Sequence, residues 1–269
     1  MAILDPPLWR PLSPGEGASG RPGREDPRRD PAERKESREE AERKTSGGPT
    51  VTPFSLDPAL FIRLLTWLSP AFPTGAYAYS HGLEWAVAKG WVDDERSLGA
   101  WLDVLLEDGS AWNDALLLRA SHRRARTGQG VEELAALAAA LGLARERREE
   151  SLAQGEAFAR AAEVWGGGPV APLPVAFGSF AASQGVDEDV AVAGYLHAFV
   201  ANLVSAGVRL IPLGQSAGLA VLAAREPAIL STLSRSRLDE PLAALGGAAF
   251  CADLAAMAHE TQETRLFRS

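Results

Sequence analysis

The residues of this 269-residue chain with most chemistry to offer are few: His81, His122, His197 and His259, one cysteine, Cys251, and a serine inside Gly-Gln-Ser-Ala-Gly at 214–218. No histidine has another His or Cys at a close ligand spacing, so zinc frameworks, histidine-rich metal stores and HExxH helices are excluded. Ser216 is central in G-x-S-x-G, but a nucleophile elbow needs a preceding strand, and here Pro212 breaks the chain after an apolar helical run. A phosphate-binding GxxxxGK[ST] pattern is missing, and no GxGxxG follows a strand pattern to open a helix as the dinucleotide fingerprint requires. A hydrolase would have to combine Ser216 or Ser80 with His81 or His259. A metal carrier would have to use His81, His197 or His259 as isolated ligands, paired across a dimer axis. The expectation is a binding protein with no catalytic residue, metal site or cofactor of its own.

Three stretches carry denser information. In Leu64–Val92, Pro70 and Pro73 stop a helix and Gly75 permits a sharp turn. Tyr77, Tyr79, Ser80 and His81 then precede a new helix containing Glu84, which could cap or anchor the loop. Two readings stand: a helix-turn-helix corner with tyrosines in the core, or a functional turn. At 209–215, Pro212, Gly214 and Gln215 form a corner whose amide is available to buried or partner backbone. The end of the sequence, Thr264 to Ser269, combines Arg265, Leu266, Phe267 and Arg268. Ordinary tails are polar and fray, whereas guanidiniums suit bidentate pairing and stacking on tyrosine. Arg265 is therefore expected to fold back onto the Tyr77–Tyr79 turn and complete a composite surface.

The elements that must position these residues are helical. With 46% hydrophobic and 23% charged residues the chain can bury a sizeable core. Its net charge of -8 speaks against nucleic acid. The lone cysteine lies in an apolar run, as a buried thiol of a reduced, cytosolic protein does. The first residues offer no secretory signal. Residues 1–50 hold ten Lys/Arg, ten Asp/Glu and eight prolines, which predicts a disordered extension. Residues 51–269 are then one all-α, bundle-like domain of about ten helices. Helices are expected at 58–68, 82–89, 97–126, 132–142, 145–165, 175–184, 187–208, 214–225, 226–236 and 243–263. Sustained β-branched alternation is missing, so no significant sheet is expected. Val190–Val208 carries no formal charge over 19 residues. It is read as a buried core helix rather than a membrane span, since it contains His197, Asn202 and Ser205.

Ser69 to Glu84, in the pattern S-P-x-x-P-x-G-x-x-x-Y-S-x-G-L-E, resembles the signature of UreF urease accessory proteins. Val208 to Gln215 is similar to that family's V-R-L-x-P-L-G-Q segment, and His259–Ser269 to its H-E-x-x-x-T-R-L-F-R-S ending. Arg147–Ser151 and Pro174–Gly178 match weaker blocks. The resemblance runs in order from about residue 55 to the end. It implies an all-helical homodimer in urease maturation that binds UreD (also called UreH), recruits the nickel-carrying GTPase UreG and acts on the urease apoprotein. It also points to Pro70, Pro73, Gly75, Tyr77, Tyr79, Ser80, Glu84, Gln215, Arg265, Leu266, Phe267 and Arg268 as partner-binding residues. It singles out none of Arg209, Arg265 and Arg268 as an arginine acting in trans on the GTPase. The isolated-histidine alternative becomes, on this reading, a direct nickel chaperone.

Overall fold

A computed structural model describes residues 57–269, and the proposed extension with its boundary at residue 50 lies outside them. Among the described residues the secondary structure is helical throughout, as expected. The α-helices are α1 (Pro58–Trp67), α2 (Leu83–Ala88), α3 (Glu95–Asp108), α4 (Ser110–Arg126), α5 (Glu132–Leu141) and α6 (Arg145–Ala161). They continue with α7 (Leu173–Ser183), α8 (Glu188–Leu210), α9 (Gln215–Ala224), α10 (Glu226–Arg235) and α11 (Phe250–His259). Short 3-10 turns lie at Ala76–Ala78, Ala162–Trp165 and Pro241–Ala244.

Helix starts follow local chemistry. Asp94 accepts from the Ser97 amide at 2.7 Å while Ser97 Oγ accepts from the Asp94 amide at 3.0 Å, a reciprocal cap on α3. Asp187 accepts from the amides of Asp189 and Val190 at the start of α8. The expected 97–126 helix is in fact two. Gly109 is extended (φ -118°, ψ -151°), and a Cβ there would lie 2.8 Å from Leu105 Cα and 3.1 Å from Ala249 Cβ. The Ala248 amide also takes the Asp108 carbonyl as its acceptor at 2.9 Å. A tertiary contact therefore replaces the helical bond, and apolar periodicity does not record it. The expected 243–263 helix shrinks to α11 because the chain there is redirected through Gly246-Gly247. Cys251, in the first turn of α11, is half-buried rather than buried.

The core runs along α4, α7 and α8. Helices α4 and α7 approach so closely that a Cβ on Gly178 would meet the Leu118 carbonyl at 2.5 Å. Ser121 Oγ also donates to the Val175 carbonyl at 2.7 Å. Trp67, Phe158, Phe177 and Phe180 interlock edge to face. Helix α8 is long and apolar enough to cross a membrane by length and composition, with half of that window buried in the body. It packs on α2, α3, α4, α7, α9 and α10, the surroundings of a central helix.

A buried arginine ties its start to the rest. Arg119 of α4, 1% exposed, donates to Glu188 (2.6 Å), Asp189 (2.7 Å), Ser236 Oγ (2.9 Å) and the Leu233 carbonyl (3.0 Å). Arg123 and Arg237 complete the cluster on Glu188 and Asp189.

Candidate functional site

The turn between α1 and α2 and the last residues of the sequence form one structure. Gly75 turns the chain at φ 76°. His81 and Gly82 follow in left-handed backbone (φ 55° and 78°), a conformation that costs His81 but not Gly82. Gly82 is doubly required, because a Cβ would sit 2.6 Å from the Ala256 amide of α11. The final residues return to this turn. The Arg268 amide donates to the Ala78 carbonyl at 2.8 Å, and the Ser80 amide to the Ser269 carbonyl at 2.7 Å. Ser80 Oγ donates to the same Ser269 oxygen.

Buried carboxylates hold the tail in place. Glu84 accepts the Leu266 amide at 2.6 Å and the Phe267 amide at 2.9 Å, so it anchors the tail from the first turn of α2. His259, fully buried, bridges Glu146 Oε2 (2.7 Å) and Glu84 Oε2 (3.2 Å). Glu146 in turn takes Arg265 at 2.5 Å. On the next turn of α6, Glu150, 2% exposed, accepts from Ser269 Oγ (2.6 Å), Gln154 (2.8 Å), His81 Nε2 (2.7 Å) and Arg147. Burial by itself would raise the Glu150 carboxyl, but Arg147, His81 and Ser269 together bring it down to about 2. The same burial, with the charge of Arg147, pushes His81 down from its ordinary value. Phe267 is buried under the Arg209 guanidinium, 4.3 Å from the ring centre.

The structure thus divides the residues singled out in the sequence. Tyr79, Ser80, Glu84 and Phe267 are buried members of the frame, and Tyr79, Arg265, Phe267 and Arg268 line one cavity of about 560 Å³. Arg265 sits in that cavity wall beside Tyr79 but pairs with Glu146 rather than stacking on either tyrosine. Tyr77 is 68% exposed and Leu266 66%, and Arg268, Pro70 and Pro73 are also exposed. Gln215 stands exposed at the first position of α9, well apart in the sequence from the turn and tail contacts it was grouped with. Sequence reading missed Glu146, Glu150 and the bridging role of His259; the Arg147–Ser151 block holds Glu150 and His259 opens the tail segment, while Glu146 lies just outside the block.

The alternatives built on isolated side chains meet specific geometry. Ser80 Oγ is engaged by the tail, and His81 points its Nε2 at Glu150, so the two do not form a nucleophile–base pair. Ser216 is exposed in the first turn of α9. Both ring nitrogens of His259 face carboxylates. Among the described residues no group of three or more His, Cys, Asp or Glu could hold a metal ion.

A second cavity, of about 290 Å³, opens between the 69–77 turn, α6 and α8. Asp114 lines it and accepts the Tyr195 hydroxyl at 2.8 Å. Burial raises the Asp114 carboxyl to about 6, with the Tyr195 hydrogen bond and Arg147 only partly opposing. Unfolding releases this acid to its ordinary range, so its ionisation costs folded-state stability as pH rises from about 4 through 6 and costs nothing below. Asp114→Asn should therefore stabilise the protein by about 1–2 kcal/mol at pH 7.5 and leave it unchanged at pH 4. Denaturant titration at the two pH values measures this.

Comparisons with known proteins agree with the motifs. The UreF family profile matches residues 92–226. The chain is 49% identical to the urease accessory protein UreF of Mesorhizobium japonicum over 217 residues, covering 77% of this chain and 96% of that protein. It is 48% identical, at the same coverage, to the UreF of Rhizobium leguminosarum bv. viciae. Against the UreF of Brucella ovis it is 45% identical over 226 residues, covering 81% of this chain and 99% of that one. With both the profile and near-full-length relatives in agreement, the chain belongs to the UreF family of urease accessory proteins.

Proposed function

We propose that the protein acts in the cytoplasm as a non-catalytic scaffold of urease maturation. On this reading it binds UreD/UreH, recruits and modulates the GTPase UreG, and so serves nickel insertion into the urease apoprotein. The observation that carries the reading is the docked tail. Three buried carboxylates, Glu84, Glu146 and Glu150, spend their acceptor capacity fixing residues 265–269 against the 76–80 turn. What this arrangement leaves outward is Leu266, Arg268 and the mixed-charge wall of the cavity beside them. An exposed leucine next to an exposed arginine, on backbone that cannot fray, suits recognition of a protein surface.

Deleting residues 264–269 should leave the helical body folded and abolish co-purification with UreD and UreG. Retention of both partners by the truncated protein, at wild-type yield, would remove the tail from the reading. The homodimer is supported by α1, where Phe61, Ile62 and Leu65 are exposed together. Ile62→Glu with Leu65→Glu should convert a dimer to a monomer in light scattering, without loss of helicity.

A further inference from the structure

Among the buried or cavity-facing carboxylates of the body, Asp114 stands apart. The buried Glu84, Glu146 and Glu150 and the cavity-lining Glu149 each meet an arginine or a histidine. Asp114 has no ion pair among the described residues: it accepts the neutral hydroxyl of Tyr195, and the Arg147 charge reaches it only beyond contact distance. It keeps partial exposure because it faces the cavity of about 290 Å³. The other charged groups lining that cavity cancel: Arg147 is matched by Glu150, which also holds His81. An ionised Asp114 thus leaves one net negative charge in the lining. The walls are apolar, with Trp67, Leu68, Phe177 and Phe199, and the exposed Tyr77 and His197 stand at the rim.

A largely apolar cavity lined by a single carboxylate without an ion pair matches an alkyl chain ending in a cation. A hydrated ion would gain nothing from aromatic walls, whereas a lysine or arginine stem buries its methylenes there and its head gains charge-assisted hydrogen bonding. The volume is at or below the lower limit for drug-sized ligands and suits one side chain. We propose that this cavity receives a lysine or arginine side chain of a protein partner, its cationic head on Asp114 and its stem along Trp67, Phe177 and Phe199. That the side chain comes from a partner rests on the scaffold reading; the cation site itself does not.

The free protein separates the two. Titration with n-butylammonium and n-butylguanidinium, followed by the NMR shift of the Asp114 carboxyl carbon and by Trp67 fluorescence, should show binding about tenfold or more tighter than n-butanol. Butyrate should not bind. Asp114→Asn keeps the shape and an acceptor for Tyr195, and should bring cation and alcohol to equal affinity in the fluorescence titration. In co-purification the same variant should retain at least about tenfold less partner, with hydrogen exchange at Leu266 and Phe267 unchanged. Equal binding of cation and alcohol by the wild type, binding of neither, or cation preference surviving in Asp114→Asn overturns the site. Full partner retention by Asp114→Asn, with the probes behaving as expected, overturns the partner side chain as its occupant. If the wild type holds no partner while the probes still discriminate, the scaffold reading and the partner occupant fall together.

Discussion

Replacing Arg119 by methionine should lower the stability of the folded protein by about 3 kcal/mol, the cost of leaving the half-buried Glu188 and Asp189 and the buried Ser236 without this partner. Methionine roughly fills the space of the arginine stem, so the loss reports charge and hydrogen bonding rather than a cavity. Arg119 reaches from α4 to Glu188, Asp189, Ser236 and the Leu233 carbonyl at once. Arg123 and Arg237 stay on Glu188 and Asp189 and soften the loss, which keeps the figure at the lower end for a broken buried pair. For a body of this size the change should appear as a fall of roughly 6–12 °C in the thermal midpoint. A shift under 2 °C would mean that the flanking arginines carry the cluster and that Arg119 is an accessory. Partner binding below the new midpoint should be unaffected, because the cluster lies at the start of α8, away from the tail.

Glu84→Gln should have the opposite profile, with a modest effect on global stability and a large effect on the tail. The carboxylate accepts two successive backbone amides, Leu266 and Phe267, and also faces His259. A glutamine offers one oxygen and places an N–H2 group against the remaining donors. Charged hydrogen bonds contribute about 1.5–3 kcal/mol each, so the docked tail should lose on the order of 2–4 kcal/mol relative to the released one. Hydrogen exchange at Leu266 and Phe267 should accelerate by two orders of magnitude or so, and trypsin should reach Arg265 and Arg268. Co-purification of UreD should fall in step with tail release. If exchange accelerates and partner retention does not change, the docked geometry is incidental to recognition.

The helical class and most helix positions were legible in the residues, because apolar spacing and caps are local. Asp94 with Ser97 and Asp187 with the α8 amides are written within four residues of one another. The break at Gly109 was not legible, since it depends on Ala248, far along the chain, taking the Asp108 carbonyl. The same distinction runs through the site. Residue types at 69–84 and 259–269 marked both stretches as informative, and the motifs named the family that the relatives confirm. Which of those residues face a partner and which build the frame depended on contacts across more than a hundred residues. Glu146 meets His259 and Arg265, and Glu150 meets Ser269. Asp114 carried no local mark at all. It became a candidate only when the packed helices enclosed it, gave its neighbours their counter-charges and left it with a hydroxyl. The sequence by itself determined the helices, the family and the two ends of the site; the tertiary structure decided burial and charge pairing, because both are set by which distant groups share a low-dielectric space.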